Sequence, residues 1–361
     1  VADIALAAET PTAPPTKTTA RGGTTLWRYV LIRFLLIFPT IFILVTTVFL
    51  MMRVTGDPIT AALGGQLTPA QLAERIEAAG YNRPLIVQYA EYLGGIATGD
   101  FGTTIDGQPV TEVLVRYGGA TLELAIYALL VAFAVGIPLG MLAAWLRDTW
   151  GDAALRVFAI LCYATPVFFA GLLLKLVFSV WLGILPSSGR ASPRAELQLG
   201  RVEGATGIYT IDALRTGNPA LIADVLQHAI LPGIALGLLT AGVFLRLVRT
   251  NVIGTLATPY VDAARSRGVS EFRLVRTHAY RPALIPIITV IGLQIAMLLG
   301  GAVLTETTFE WMGLGYQLSE FLKARDFVAV QGIVALLAVI VALTNFIVDI
   351  IAAFIDPRVR Y

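Results

Sequence analysis

Thr258-Pro259-Tyr260-Val261-Asp262-Ala263-Ala264-Arg265-Ser266-Arg267-Gly268 lies between two long apolar segments in the C-terminal third of the chain. Thr258 and Pro259 read as the cap and first residue of a helix, because a Thr hydroxyl can accept from a free N–H and Pro lacks an N–H that would go unused there. Asp262 falls in the first turn, where a carboxylate favours the positive end of the helix dipole. Ala264 and Gly268 are four apart and share a face without bulk, open to close approach by another surface. Gly268 also suits a left-handed helix stop, after which Ser270 caps a second short helix with Glu271 in its first turn. The spacing predicts a compact helix, sharp turn and helix with an arginine-rich flank. Such an element suits a groove on a partner, and on spacing alone it equally suits an ordinary basic loop beside a membrane.

The flanking segments settle the class. Hydrophobic residues make up 57% of the chain and charged residues 14%, against about a quarter charged in soluble domains. Mean hydropathy is +0.77. A bilayer core about 30 Å thick needs about 20 apolar residues per helix. Six segments meet that length, at about 29–52, 120–145, 153–185, 226–247, 283–304 and 328–355. Continuous apolar runs indicate helices, since barrel strands alternate every second residue. The expectation is therefore an all-α, polytopic protein of six transmembrane helices. Internal prolines such as Pro39, Pro138 and Pro166 are tolerable where neighbouring helices re-satisfy the freed carbonyls. The net charge of +2 is too small to suggest nucleic acid as a partner. The single Cys162 excludes an internal disulfide and reads as a small packing residue.

Residues 1–25 are poor in large apolar groups and carry Pro11, Pro14 and Pro15, which reads as a disordered cytoplasmic tail. They do not read as a signal peptide, because the apolar run that follows is too long and no small-residue cleavage site closes it. With the N-terminus inside, fifteen of the 26 Lys and Arg fall on the inner side and nine on the outer side. The positive-inside rule thus places both termini and the loop at about 254–281 in the cytoplasm. The outer loops, 54–117 and 186–224, are long and rich in Gly and Pro. Within the first, Thr68-Pro69 reads as the capped start of a short helix.

The Asp262-Ala263-Ala264-x-x-x-Gly268 core resembles the cytoplasmic EAA loop of ABC importer permeases, the surface that a separate ATPase subunit grips. Further stretches are similar to dipeptide/oligopeptide permeases of the DppB/OppB type. They are Leu26-Trp27-Arg28-Tyr29 at the first span, Gly56-Asp57-Pro58 at its exit, Gly99-Asp100-Phe101-Gly102, Glu306-Thr307-Thr308-Phe309, Ala324-Arg325-Asp326 and the closing Asp356-Pro357-Arg358. Three positions depart from the pattern. Asp262 stands where the wider family has Glu, which shortens the arm. His278-Ala279-Tyr280-Arg281-Pro282 stands where Ile-x-Leu-Pro would end the loop, and Met312-Gly313-Leu314-Gly315 replaces Pro-Gly-Leu-Gly.

The resemblance implies a type I ABC importer permease fold in the bacterial inner membrane, and an ATP-driven import of di- or oligopeptides. It implies a second homologous permease subunit, two ATPase domains that bind ATP and Mg, and an extracytoplasmic substrate-binding protein. The implied coupling residues are Asp262, Ala263, Ala264, Arg265, Arg267 and Gly268. Nickel, glutathione or an oligosaccharide is the alternative cargo in the same branch. The residues themselves agree that the chain is not the ATPase. There is no Gly-x-x-x-x-Gly-Lys-Ser/Thr loop, and the only lysines are Lys17, Lys175 and Lys323. His-Glu-x-x-His and Gly-x-Ser-x-Gly are absent too, so the chain reads as non-catalytic.

Ionisable groups within spans face a cavity or a partner. Gln294, Glu306 and Glu123 are the candidates to line a path, although Glu123 and Glu306 sit near outer span ends and can also reach the interface. Lys175 reads as snorkelling outward along its stem. Asn345 and Asp349, four apart, read as bonding to each other or to a neighbouring span. His228 and His278 fall near opposite membrane faces, so no metal site is expected. A different class, a self-sufficient secondary transporter, predicts an inverted repeat, broken spans and a midplane carboxylate, and no repeat is visible.

Overall fold

The computed structural model describes residues 24–54, 58–65, 67–78 and 80–355. Nearly all of the 1–25 tail, Gly56-Asp57 and Asp356-Pro357-Arg358 lie outside the described residues. Among the described residues the regular elements are helices, with one isolated β-bridge between Thr103 and Pro109. In chain order they are α1 (Thr24–Val54), α2 (Pro58–Leu63), α3 (Pro69–Ala78), α4 (Leu85–Thr98), α5 (Val110–Trp145), α6 (Trp150–Ala164) and α7 (Val167–Leu174), the last widening into a π-helical turn at Lys175–Trp181. After α8 (Pro193–Leu199) and α9 (Tyr209–Thr216) come α10 (Pro219–Leu256), α11 (Pro259–Ser266) and α12 (Glu271–Arg273), the last followed by a π-helical turn at Leu274–Ala279. The chain ends on α13 (Tyr280–Phe309), α14 (Leu314–Lys323) and α15 (Phe327–Ile355).

Among the described residues, α1, α5, α10 and α15 are long and apolar enough to cross a membrane, and the bent pair α6–α7 makes a fifth if counted as one span. α13 is a 30-residue helix packed among them. The 36 residues of α5 extend about 54 Å at 1.5 Å per residue, well beyond an apolar layer about 30 Å thick. Part of each loop expected outside is therefore helix that continues a span.

α5 and α10 form the centre, and small residues let their backbones meet. A Cβ on Gly136 would lie 2.8 Å from Ala241 O, one on Gly140 2.7 Å from Val248 Cβ, and one on Gly237 2.6 Å from Ala128 O. α10 is the most enclosed of the four long spans, 61% buried, and α1 the least, 17%. α1 is held against α15 by the Arg33–Asp349 ion pair at 3.3 Å and the Phe34–Phe346 ring contact. Asp349 thus bonds a neighbouring span.

The span expected at 153–185 is not one straight helix. α6 and α7 are bent by 105° at Thr165-Pro166. Proline disfavours helical backbone in the residue before it, and Thr165 is extended, with φ −78° and ψ 125°. Pro39, Pro138 and Pro232 stay inside continuous helices, so only this proline ends one. The expected start at Thr68-Pro69 is present: Gln71 N donates to Thr68 Oγ1 at 3.4 Å, and Thr68 N donates back to Gln71 Oε1 at 3.1 Å. This is a reciprocal capping box.

Candidate functional site

α11, the turn at Gly268 and α12 form the expected knuckle. Its start differs in detail from the expectation. The Thr258 backbone is extended, but its hydroxyl donates to Thr255 O at 2.5 Å and does not cap α11. Ser270 also makes no cap bond. The stop is as expected. Gly268 has φ +81°, its N–H donates to Arg265 O at 2.9 Å, and Val269 N–H donates to Ala264 O at 3.4 Å. These two bonds are a Schellman closure, which favours glycine at the left-handed position.

Arg265 clips the two arms together. It lies 2.5 Å from the Asp262 carboxylate and 2.7 Å from that of Glu271. The hydrogen bond from Arg265 holds the Glu271 carboxyl below the usual carboxylate range. Arg265 therefore stiffens the knuckle from within, whereas Asp262, Ala263, Arg267 and Gly268 are exposed. Ala264 is half-buried against the apolar cluster below, so the outward small-residue surface is Ala263 and Gly268. A Cβ at Gly268 would meet nothing within 4 Å. Tyr260 and Phe272 project beside this surface, and Phe272 meets the Trp145 ring edge-on at the end of α5.

Below, the knuckle is rooted. Val261, Leu274, Val275 and Ala279 are buried in one cluster with Ala144 of α5, Val248, Val252 and Leu256 of α10, and Ala283 and Ile287 of α13. Close-packed interiors transmit displacement instead of absorbing it. A push on the exposed face therefore reaches three long helices at once. The sequence reading missed two further anchors at this end, Asp152 and Arg249, which tie α6 to α10. The available signal was Thr149-x-x-Asp152, where Thr149 accepts from Asp152 N as the cap of α6.

At the opposite end, Glu123 and Glu306 are enclosed. Glu123 accepts from Arg190 Nη2 at 2.6 Å, from Thr210 N at 2.7 Å and from the Thr210 hydroxyl. The Arg190 guanidinium also donates to Gly207 O at 2.8 Å and lies 3.7 Å above the Tyr209 ring. Glu306 accepts from Thr121 Oγ1 at 2.7 Å and Tyr316 N at 2.9 Å, while Thr121 accepts from Leu314 N at 2.8 Å. Trp311 Nε1 donates to Ala120 O at 2.9 Å. These bonds fasten the 186–224 segment and the residues after α13 to α5 around Thr121 and Glu123.

Gln294 is buried in α13 and its Oε1 has no partner among the described residues; Thr240 Oγ1 in α10 is in the same condition. Lys175 does not run outward: its Nζ donates to Thr308 O at 2.9 Å over the Phe309 ring.

Residues 136–361 match the family described as the inner membrane component of binding-protein-dependent transport systems, and residues 26–109 match that family's N-terminal membrane component. The chain belongs to that family. Within it, this is a DppB/OppB-like ABC importer permease. It is 36% identical over 337 residues to the dipeptide transport system permease protein DppB of Escherichia coli K12, covering 92% of this chain and 99% of the relative. It is 34% identical over 335 residues to DppB of Alkalihalophilus pseudofirmus, at the same coverage of both chains. The glutathione transport system permease protein GsiC of Salmonella choleraesuis is 33% identical over 335 residues, again 92% of this chain and 99% of the relative. Family membership decides against a self-sufficient secondary transporter, although the broken α6–α7 span is one feature that reading expected.

Proposed function

We propose that this permease is one of two homologous membrane subunits of an ATP-driven importer of di- or oligopeptides. The observation that carries the coupling is the knuckle at 258–279, with Ala263 and Gly268 bare on its outer face and Val261, Leu274, Val275 and Ala279 packed into three spans. In this reading the chain crosses the inner membrane six times, with α6–α7 as one broken span, and has both termini and the knuckle in the cytoplasm. Two ATPase domains, holding ATP and Mg, grip the knuckles of the two permeases. Their closure rocks α5, α10 and α13 together and exchanges inward for outward access. An extracytoplasmic binding protein that prefers the outward state reinforces the shift. Asp262, Ala263, Arg267 and Gly268 form the gripped surface, with Ala264 and Arg265 supporting it from behind. Gln294 is the span residue assigned to the path, where a weakly polar lining tolerates varied cargo.

The names of the relatives support peptide cargo, with glutathione, itself a tripeptide, as the second reading. The test is ATPase stimulation in the purified complex. Dipeptide with its binding protein raises hydrolysis if the reading holds. Stimulation by glutathione alone selects the second reading, and stimulation by neither contradicts both.

A further inference from the structure

A recess of about 340 Å³ lies at one end of the bundle, where α1 ends and α15 begins. Its walls are Phe49 and Arg53 from the last turns of α1, Gln88, Glu91 and Tyr92 from α4, Asp100 after α4, and Gln331 from α15. One side of it offers donors. Arg53 Nε and Nη1 are buried without a hydrogen-bond partner among the described residues, and the guanidinium lies 4.9 Å from the Phe49 ring and 4.6 Å from the Tyr81 ring. Gln331, 7% exposed, has no partner for Nε2 within hydrogen-bond geometry among the described residues, and its polar neighbour is the Tyr92 hydroxyl, which has none either. The other side offers acceptors. Gln88, 8% exposed, donates to Tyr81 O and Arg83 O, and its Oε1 has no partner among the described residues. Asp100, which also accepts from Gly102 N at 2.9 Å, and Glu91, which is ion-paired with Arg83, place carboxylates on the same recess.

Buried polar groups are nearly always paired, and each one left unmatched is destabilising by about 1–3 kcal/mol. Several within one recess therefore indicate a missing ligand with matching polarity. Donors on one side call for an anion, and acceptors on the other for a cation. The surroundings identify the source. The recess lies where the apolar helix α1 ends and the apolar helix α15 begins, and Leu50, Met51, Val54, Leu85 and Ile86 are exposed large apolar residues on α1 and α4. Aromatic and cationic side chains at this depth are typical of headgroup contact.

We infer that this recess binds a phospholipid headgroup carrying both a phosphodiester and an ammonium. The phosphate lies against Arg53 and Gln331, the ammonium against Gln88 Oε1 and the Asp100 and Glu91 carboxylates, and the acyl chains run along the exposed apolar residues. A bound headgroup would clamp α1 to α4 and α15 at a point where no ion pair between them is present among the described residues.

The test is native mass spectrometry of the full-length chain, with whatever subunits co-purify, stripped of lipid and titrated with phosphatidylethanolamine. Arg53→Gln and Gln331→Leu are each expected to weaken binding about tenfold, the loss of one charge-assisted or buried hydrogen bond. Phosphatidylglycerol, which lacks the ammonium, binds more weakly than phosphatidylethanolamine to the unaltered protein. Equal retention by Arg53→Gln overturns the proposal. So does displacement of the lipid by inorganic phosphate, which marks a soluble anion site, or by dialanine, which marks a peptide site. Gln331→Leu removes no charge, so it keeps the test decisive if Arg53→Gln fails to fold.

Discussion

Arg249 closes a two-pronged ion pair on Asp152, with Nε 2.6 Å from Oδ1 and Nη2 2.7 Å from Oδ2, and the carboxylate is fully enclosed. The pair joins the first turn of α6 to the last turns of α10, beside the cluster that roots the knuckle. It ties α10 to α6 at this end, so in the proposed rocking motion the two helices move together.

Arg249→Ala leaves the Asp152 carboxylate buried without its main partner. Breaking a deeply buried pair is destabilising by about 3–5 kcal/mol. Here Arg156 remains 3.6 Å away and Arg249 is 20% exposed, so we expect about 2–3 kcal/mol. Thermal unfolding of the purified chain measures it. Asp152→Asn combined with Arg249→Gln, which leaves no bare charge, should be less harmful than Arg249→Ala alone.

Glu123→Gln weakens the hold of Arg190 on α5 and should free residues 186–217 without unfolding the spans. Hydrogen exchange reads this directly: protection falls around Thr206–Thr210 while α10 is unchanged. Unaltered exchange in that segment would show that the Arg190–Glu123 contact is not what holds it down.

Gly313 and Gly315 are required by close approach. A Cβ on Gly313 would lie 2.5 Å from the Glu306 carboxylate, and one on Gly315 2.5 Å from Val303 Cα. Gly315→Ala pushes on backbone and should destabilise by about 1–3 kcal/mol, typical of overpacking. Gly65→Ala, where a Cβ would meet nothing within 4 Å, is the control. Equal melting temperatures for both variants would refute the packing argument.

The Arg265 clip makes the knuckle sensitive to acid. Because its folded pKa is lowered from 4.5, Glu271 contributes stability above pH 4.5, and that contribution is lost as pH falls through the lowered value. Amide protection at Gly268 and Val269 should therefore persist just below pH 4.5 and then fade. In Glu271→Gln it should show no such step. The effect is small and weakened by salt, since both partners are partly exposed.

Much of this was legible in the sequence, for identifiable reasons. Long helices announce themselves by apolar continuity, and the Thr68 box and the Gly268 stop are set by local backbone chemistry within a few residues. The bend at Pro166 was not legible, because Pro39, Pro138 and Pro232 occupy similar apolar runs without ending them. The roles of Glu123 and Glu306 were hidden for another reason. Their partners Arg190, Thr210 and Thr121 lie 67, 87 and 185 residues away, and only the folded chain brings them together. Ala264 was legible as small but not as half-buried, since spacing places it on a helix face without saying what lies beneath.

ATP-dependent peptide uptake into proteoliposomes by the complete complex carrying Gly268→Arg tests the coupling claim most directly. The glycine faces open space, so a large side chain there spares the chain's own core and, under the proposed coupling, strikes the ATPase surface. Gly268→Asn, small and tolerant of a left-handed backbone, controls for strain. The account predicts uptake at background for Gly268→Arg, with the chain still inserted, and near-normal uptake for Gly268→Asn. Full uptake by Gly268→Arg, or solute accumulation by the permease alone without any ATPase, would contradict it.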